Sequence, residues 1–463
     1  MRKAEPFQHL NKIIYNKNVS LKKVLEGFNE TAIHTESSGF AIIIDDGGKC
    51  IGVVSDGDIR RKLVEDIPFH TPVSAAMNKN YVFVKKGEND HVILRQFDKN
   101  YKNLPVLNDK FIPVDLYRYS RFLAATRTVN RIIRARVPVR VSFSGGGTDI
   151  SSYIDKSVST VLSSTINKYC TASVIVRDDK EIHIKSKDLN LSYTAKNIEE
   201  IRLGDELDLI KAAIKIMQPD FGFILETSAE FEPGTGLGGS SAVVVSVLGA
   251  LNYFRNEQQL DIYQLADLAY QVERIDLKID GGWQDQYATI FGGFSWIEFN
   301  QNGVLVSPLR LQRDTLLELE YNLMLFRLGK TRNSGELQKK HIESSKMKSS
   351  KFAEMIKIAK QMKDALLKGE VKRFADMLHE SWLIKQRMNE KVSNKYIEEC
   401  YNTARNLGAL GGKLLGAGGS GYLLIYSSPL YQRKINNALK SKGAQQELFK
   451  FSNSGLEVWS TKN

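Results

Sequence analysis

Between Phe231 and Leu251 the chain reads FEPGTGLGGSSAVVVSVLGAL. Gly234, Gly236, Gly238 and Gly239 crowd a short turn, Ser240 and Ser241 follow, and the apolar run after them predicts a buried helix. Glycines let backbone N–H groups come close to a ligand. A helix that opens at the end of such a turn aims its unpaired N–H groups, and the positive end of its dipole, at the same point. Turn plus helix start is an anion site, most often for phosphate. The two serines add hydroxyls for phosphate or a metal ion. The stretch assigned to this site is Pro233, Gly234, Gly236, Leu237, Gly238, Gly239, Ser240 and Ser241. It is not the Lys-containing P-loop, because Ser240 stands where the Lys belongs. Gly234, Gly236 and Gly239 also satisfy the dinucleotide pattern, but a polar stretch and a second helical run, Ile262 to Ile275, follow instead of a strand ending in an acid. A plain turn before a core helix is disfavoured by the ordering entropy of so many glycines.

Two carboxylates follow, Glu273 and Asp285. Phosphoryl transfer needs a divalent cation on the phosphates, a group that orients or deprotonates the attacking hydroxyl, and donors that absorb charge. Mg²⁺ takes few oxygens from protein and the rest from water and phosphate. Glu273 with Ser241 suits that contribution. Mg²⁺ is the cation this chemistry implies, and ATP is the phosphoryl donor that the family resemblance set out next implies.

Five segments resemble one family. PGTGLGGSSA, Pro233 to Ala242, is similar to the P-x-x-x-G-L-G-S-S-A loop of the GHMP kinases, with one residue fewer before Gly-Leu-Gly and an additional Gly. RVPVRVSFSGGGTD, Arg136 to Asp149, resembles the first motif of the D-glycero-D-manno-heptose 7-phosphate kinase group within that family. The resemblance implies that Gly145, Gly146, Gly147, Thr148 and Asp149 place sugar hydroxyls; helix capping is the plainer role for Asp149. Arg140 would pair an acid or help to place phosphate. GGWQDQYA, Gly281 to Ala288, is similar to the G-x-x-D-Q segment of sugar kinases and makes Asp285 the catalytic base. LGKTRNS, Leu328 to Ser334, resembles a T-G-x-x-R-x-S segment with Leu328 replacing Thr. There Arg332, ahead of Lys330, would hold a distal phosphate through its bidentate fork. KLLGAGGSG, Lys413 to Gly421, resembles the third family motif, and Gly416, Gly418, Gly419 and Gly421 would let the backbone pack against the nucleotide loop and the sugar.

The elements that must position these residues begin at Arg134. The implied fold class is α+β: a two-lobed GHMP kinase fold over 134–320 and 321–463, preceded by a small α/β CBS-pair domain over 1–120 and a linker over 121–133. The first 120 residues carry a strand FAIII at Phe40 to Ile44, a tight turn, a returning strand and a helix, then a weaker second copy. GVVSDGDIRR, Gly52 to Arg61, resembles the end of a CBS motif, and by that resemblance Ser55 and Asp58 would hold the ribose of an adenine nucleotide. The second copy, IPVDLYRYS, keeps Asp115 but lacks the usual Gly and hydroxyl, so a docking or dimerising module is an equal reading. CBS modules commonly pair, which makes a homodimer an expectation.

Composition narrows the class. The chain has 463 residues and a formal charge of +12, with basic residues scattered rather than gathered into an arm, which argues against nucleic acid. Cys50, Cys170 and Cys400 form no disulfide or zinc spacing, as in a reducing cytoplasm. No apolar run is long enough for a bilayer, and the first residues lack a signal-peptide core. The expected function is phosphorylation, with ATP, of the anomeric hydroxyl of a heptose 7-phosphate. The alternatives are another sugar 1-kinase (fucose, galactose or an amino sugar) and a non-catalytic adenylate sensor.

Overall fold

The computed structural model describes residues 7, 9–31, 39–88, 90–97, 101–119, 131–329 and 348–462. The chain forms two compact units, Met1–Arg131 and Ile132–Asn463.

The first unit repeats one arrangement. Strands β1 (Ile14–Asn16), β2 (Phe40–Ile44) and β3 (Cys50–Ser55) form a sheet in which β1 runs parallel to β2 and β2 antiparallel to β3. Strands β4 (Val84–Lys85), β5 (Asn103–Leu107) and β6 (Pro113–Arg118) repeat those pairings. A parallel pair needs a crossover. Helix α1 (Leu21–Thr31) supplies the first; α2 (Asp56–Val64) follows β3, and α3 (Asp90–Phe97) supplies the second. Leu21, Val24 and Phe28, spaced at helical intervals, cluster with Ala41, Ile43 and Val54 of the sheet.

The second unit is built on a nine-stranded sheet. Its longest strands are β7 (Arg131–Ser144) and β8 (Ser159–Val176), paired antiparallel. Along its other edge β8 pairs with β12 (Phe294–Asn300) near its start and β11 (Phe223–Ala229) near its end. Strands β9 (Ile182–Ser186), β10 (Leu191–Ala195) and β13 (Gly303–Pro308) extend the flanks. Four helices matter for the site: α4 (Asp208–Met217), α5 (Gly239–Asn252), α6 (Ile262–Tyr270) and α7 (Gln284–Phe291). Helix α5 packs on β8 and against α4, α6 and α7, and is buried on nearly every side, as its unbroken apolar sequence requires.

A second sheet holds β14 (Leu323–Arg327), β15 (Ala409–Leu414), β16 (Tyr422–Ser427) and β17 (Gln445–Glu447). Helices α8 (Lys348–Leu367) and α9 (Val371–Met388) pack together, and α9 lies on β15. Gly411 makes that approach tight: a Cβ there would lie 2.0 Å from the Ala375 carbonyl oxygen. Phe143, Val161, Phe374, Leu424 and Tyr426 share one apolar core, so the two sheets enclose a common interior. Helices α10 (Lys395–Asn406) and α11 (Pro429–Ser441) cover the second sheet.

The tail departs from the expected lobes. Strands β18 (Phe451–Ser452) and β19 (Glu457–Lys462) return to β8 and β7 of the first sheet. Residues 451–462 therefore belong with the earlier sheet, and the expected linker 121–133 ends inside β7. The edge of β7 is closed by a partner more than three hundred residues away, a pairing that no local pattern encodes.

Candidate active site

The turn after β11 takes the left-handed backbone that its glycines allow. Gly234, Gly236 and Gly238 lie at φ of 73°, 81° and 74°. Gly238 is the N-cap of α5, and no side chain caps that helix start. Ala242 N–H is the first to bond back, to Gly238 O at 3.1 Å. The N–H groups of Gly239, Ser240 and Ser241 thus precede the helical ladder and face the turn, as an anion site requires.

The connection between β15 and β16 lies backbone to backbone on this turn. A Cβ on Gly416 would sit 2.2 Å from Gly236 Cα, and one on Gly236 would sit 2.5 Å from Leu415 O. Tyr422 N–H donates to Thr235 O at 3.1 Å. Gly418 and Gly419 are engaged elsewhere. Gly419 N–H donates to Val392 O at 2.9 Å, its carbonyl accepts from Asn394 Nδ2 at 2.9 Å, and a Cβ on Gly418 would meet Val392 Cα at 2.6 Å. These two glycines hold the loop on the segment before α10; among the described residues no bond runs from them to the 145–149 turn.

Asp285, in the first turn of α7, stands beside the anion site. A Cβ on Gly238 would be 3.4 Å from its Cγ and 3.3 Å from Arg140 Cγ. Arg140 rises from β7 with its side chain almost wholly buried. It donates to Asp285 Oδ1 from Nε at 2.9 Å and from Nη2 at 2.6 Å, and to Gly236 O from Nη1 at 2.6 Å. Both ionic contacts end on Oδ1. Among the described residues no protein donor lies on Oδ2.

Asp149 does something different from what its motif implied. Its carboxylate is 1% exposed. Oδ1 accepts from Gly147 N–H at 2.8 Å and from Gln284 Nε2 at 3.3 Å, and Oδ2 accepts from Gln284 N–H at 2.9 Å. Trp283 N–H donates to Asp149 O at 3.0 Å. Asp149 therefore fastens the Gly145–Gly147 turn to the start of α7, and with it the position of Asp285. Nor does it cap the short helix that follows it, Ser151–Ile154, whose N-cap is Ile150; the helix N–H it accepts is that of Gln284 at the start of α7. Burial, with Asp285 nearby as a smaller cause, pushes the Asp149 carboxyl above the usual carboxylate range. Thr148 Oγ1 donates to Gly145 O at 2.8 Å and shares a 2.6 Å hydrogen bond with Ser159, so it braces the same turn.

Glu273 sits in a π-helical segment, Gln271–Asp276, that continues α6. Such bulges re-aim a side chain within a helix. The residue is wholly buried. Its Oε2 accepts from Ser241 Oγ at 2.6 Å and from Gln286 Nε2. Its Oε1 has no hydrogen-bond partner among the described residues, and Arg274 Nη1 stands off at 3.8 Å. A buried carboxylate oxygen left without a donor costs free energy unless something meets it. A hydroxyl, a carboxylate and an open oxygen beside an anion site fit a small hard cation.

Two cations here were not singled out in the sequence. Lys385, in the last turn of α9, donates from Nζ to Leu414 O at 3.2 Å and to Gly416 O. Lys413 on β15 is 2% exposed and donates to Phe143 O at 3.1 Å. Burial, reinforced by Arg140, pushes the Lys385 ammonium down to about 8. Burial, with Lys385 and Arg140 adding to it, lowers Lys413 well below its ordinary value. Lys413 stood in the third glycine motif and could have been found there; Lys385 lies among the charged residues of a helical stretch and carries no such mark. Lys330 and Arg332 lie outside the described residues.

In the first unit Ser55 and Asp58 satisfy each other. Ser55 N–H and Oγ both donate to Asp58 Oδ2, at 2.9 and 2.6 Å, and Asp58 N–H returns to Ser55 Oγ at 3.3 Å. This is a capping box on α2.

The GHMP kinases N terminal domain family matches residues 208–293, the GHMP kinases C terminal family residues 362–445, and the CBS domain family residues 13–65. The D-glycero-alpha-D-manno-heptose 7-phosphate kinase of Campylobacter jejuni is 36% identical over 340 residues, covering 71% of this chain and 99% of that protein. The crystal structure of a D-glycero-D-manno-heptose 1-phosphate kinase from Bacteroides thetaiotaomicron superposes with a TM-score of 0.60 at 29% identity, covering 72% of this chain and all of that one. The L-fucokinase/L-fucose-1-P guanylyltransferase of Bacteroides fragilis is 27% identical over 64% of this chain, which spans 34% of that longer protein. Among the described residues no helix is long and apolar enough to cross a membrane.

Proposed function

The chain belongs to the GHMP kinases, with a CBS domain at its N-terminal end, and on that footing we propose that it moves the γ-phosphoryl group of ATP to the anomeric hydroxyl of D-glycero-D-manno-heptose 7-phosphate, giving the 1,7-bisphosphate. The observation that carries the reading is the contact of Asp285 and Arg140 with Gly238 of the phosphate turn, which sets a carboxylate oxygen beside the place where phosphate would lie. In this reading the hydroxyl gives its proton to Asp285 Oδ2 as its oxygen attacks phosphorus, and ADP leaves. Arg140 keeps the carboxylate turned towards that hydroxyl. The free N–H groups at the start of α5 hold the phosphates. Ser241 and Glu273 would hold Mg²⁺, which when bound neutralises charge on the phosphate oxygens. The turn fastened by Asp149 places the sugar, and Arg332 with Lys330 would take the distal phosphate.

The test is ADP formation with Mg-ATP across free and 7-phosphorylated heptoses, with hexoses and L-fucose as controls. Turnover confined to the 7-phosphorylated heptose is expected. Turnover on L-fucose would instead support the second reading, which the relative from Bacteroides fragilis favours. Nucleotide binding without turnover on any sugar would support the sensor reading.

For the metal, Glu273→Gln is expected to raise the free Mg²⁺ needed for half-maximal nucleotide binding by at least about 10-fold, since even outer partners of a metal are worth ~10–100-fold in affinity. The readout is Mg²⁺-dependent fluorescence of a bound nucleotide analogue. An unchanged Mg²⁺ requirement would remove Glu273 from the site. The remaining assignments are also proposals: an adenine nucleotide at the CBS unit, a homodimer, a cytoplasmic location, and a product destined for nucleotide-activated heptose and surface polysaccharide.

A further inference from the structure

Phosphoryl transfer needs positive charge where the transferring group sheds its bond to ADP. The turn at Gly234–Ser240 offers N–H groups but no cation, since Ser240 follows the last glycine. The guanidinium of Arg140 is committed to Asp285 and Gly236 O. Arg274 is turned towards Gly282 O and Ile279 O, at 3.3 Å each. Lys413 is 2% exposed and tied to Phe143 O.

Lys385 differs from these. The residue is half-buried. Two of its three N–H donors are used, on Leu414 O and Gly416 O. Those carbonyls flank the point where the β15–β16 connection touches Gly236 of the phosphate turn. Arg140 from β7, Lys413 from β15, Asp149 and Asp285 are the charged groups that face it. Arg140, Lys385 and Lys413 thus meet Asp149 and Asp285, and burial disfavours the charged forms of Asp149, Lys385 and Lys413 alike. One N–H donor of Lys385 is left over in a cluster whose charges include Asp285.

We propose that Lys385 is a further catalytic residue, whose third N–H meets the phosphoryl group in transfer between the Gly234–Ser240 turn and Asp285. The proposal rests on the sugar-kinase reading above. Helix α9 then contributes chemistry as well as packing: it reaches across β15 to the anion site.

The experiment compares wild type, Lys385→Arg and Lys385→Met on the sugar that wild type turns over. K385M is expected to lose about 10²–10³-fold in kcat, the usual effect of removing one preorganised donor, with both KM values within about 3-fold. K385R should regain part of that loss. The pH profile separates a charge role from a merely structural one. The free ammonium titrates at about 8, so raising pH through that value discharges it and kcat/KM for ATP should fall on the alkaline side. Arg stays charged, so K385R should keep kcat/KM level over the same range. A rise in KM for the sugar phosphate alone, with kcat unchanged, would overturn the proposal and move Lys385 to the distal phosphate. An alkaline fall of equal size in wild type and K385R, or none in wild type, would overturn it as well. Should K385M not fold, the wild-type and K385R profiles still decide. Absence of wild-type turnover on every sugar would instead undo the kinase reading on which the proposal stands.

Discussion

Asp285→Asn cuts kcat by about 10²–10⁴-fold, the range expected when a positioned general base is removed, or ~2.7–5.5 kcal/mol of transition-state stabilisation. The substitution is chosen because it preserves nearly everything else. An amide oxygen at Oδ1 still accepts from Arg140 Nε and Nη2, so the tie from β7 through Arg140 to Gly236 O survives. The backbone of Gln284, fixed to Asp149 Oδ2 at 2.9 Å, still sets the start of α7. What is lost is the proton acceptor at Oδ2. Nucleotide affinity, measured by fluorescence titration with an ATP analogue, should stay within a few-fold of wild type. KM for the sugar should move little, because the lost interaction strengthens only as the proton leaves the hydroxyl. A variant that keeps more than about a tenth of wild-type kcat would show that Asp285 orients the hydroxyl without taking its proton.

How far this site could be read from the sequence depends on the kind of residue. Gly234, Gly236 and Gly238 announce themselves, since dense glycine has few uses besides left-handed backbone and close approach, and all three adopt positive φ. Asp285 and Arg140 stand in short segments with recognisable neighbours, and the fold does bring them together across 145 positions of sequence. Asp149 was legible as a residue but not as a role. Nothing local says that its carboxylate is consumed by Gly147 and Gln284, because the latter lies on a helix that arrives from elsewhere in the chain. Glu273 falls within the helical run that the sequence predicts from Ile262 to Ile275, whereas the chain turns π-helical from Gln271 and buries the carboxylate completely. Lys385 could not be found by pattern. It shares α9 with other basic residues, and only the position of β15 separates a lysine facing solvent from one whose ammonium reaches Gly416 O. The return of β19 to β7 is of the same kind: strands at the two ends of the unit are joined by pairing, and propensity is silent about partners.

Gly416→Ala should be nearly as damaging as loss of the base, and for a purely steric reason. Gly416 lies at φ 72°, and a Cβ there would stand 2.2 Å from Gly236 Cα and 3.0 Å from Gly236 C and O. No backbone atom tolerates that approach, so one loop must move, and the phosphate turn has only its glycines to resist with. The neighbouring contacts oppose relaxation on the other side: a Cβ on Gly421 would be 2.4 Å from Thr235 O, so the two loops are in backbone contact at both ends. A displacement of about 1 Å at a reacting centre can remove ~10²-fold in rate, which is the loss expected in kcat/KM for ATP. Strain alone would give a different result. An alanine in the left-handed region costs about 1–2 kcal/mol wherever it occurs. Gly443→Ala isolates that term, because Gly443 has φ 89° and its nearest neighbour, Tyr396 Oη, would be 3.9 Å from the new Cβ. The Gly443 variant should therefore lose only that strain in urea and keep its ATP turnover, while the Gly416 variant loses more stability and its turnover as well. Equal activity in the two would mean that the loops adjust at no cost to the phosphate turn, and that the contact between Gly236 and Gly416 does not set where the nucleotide lies.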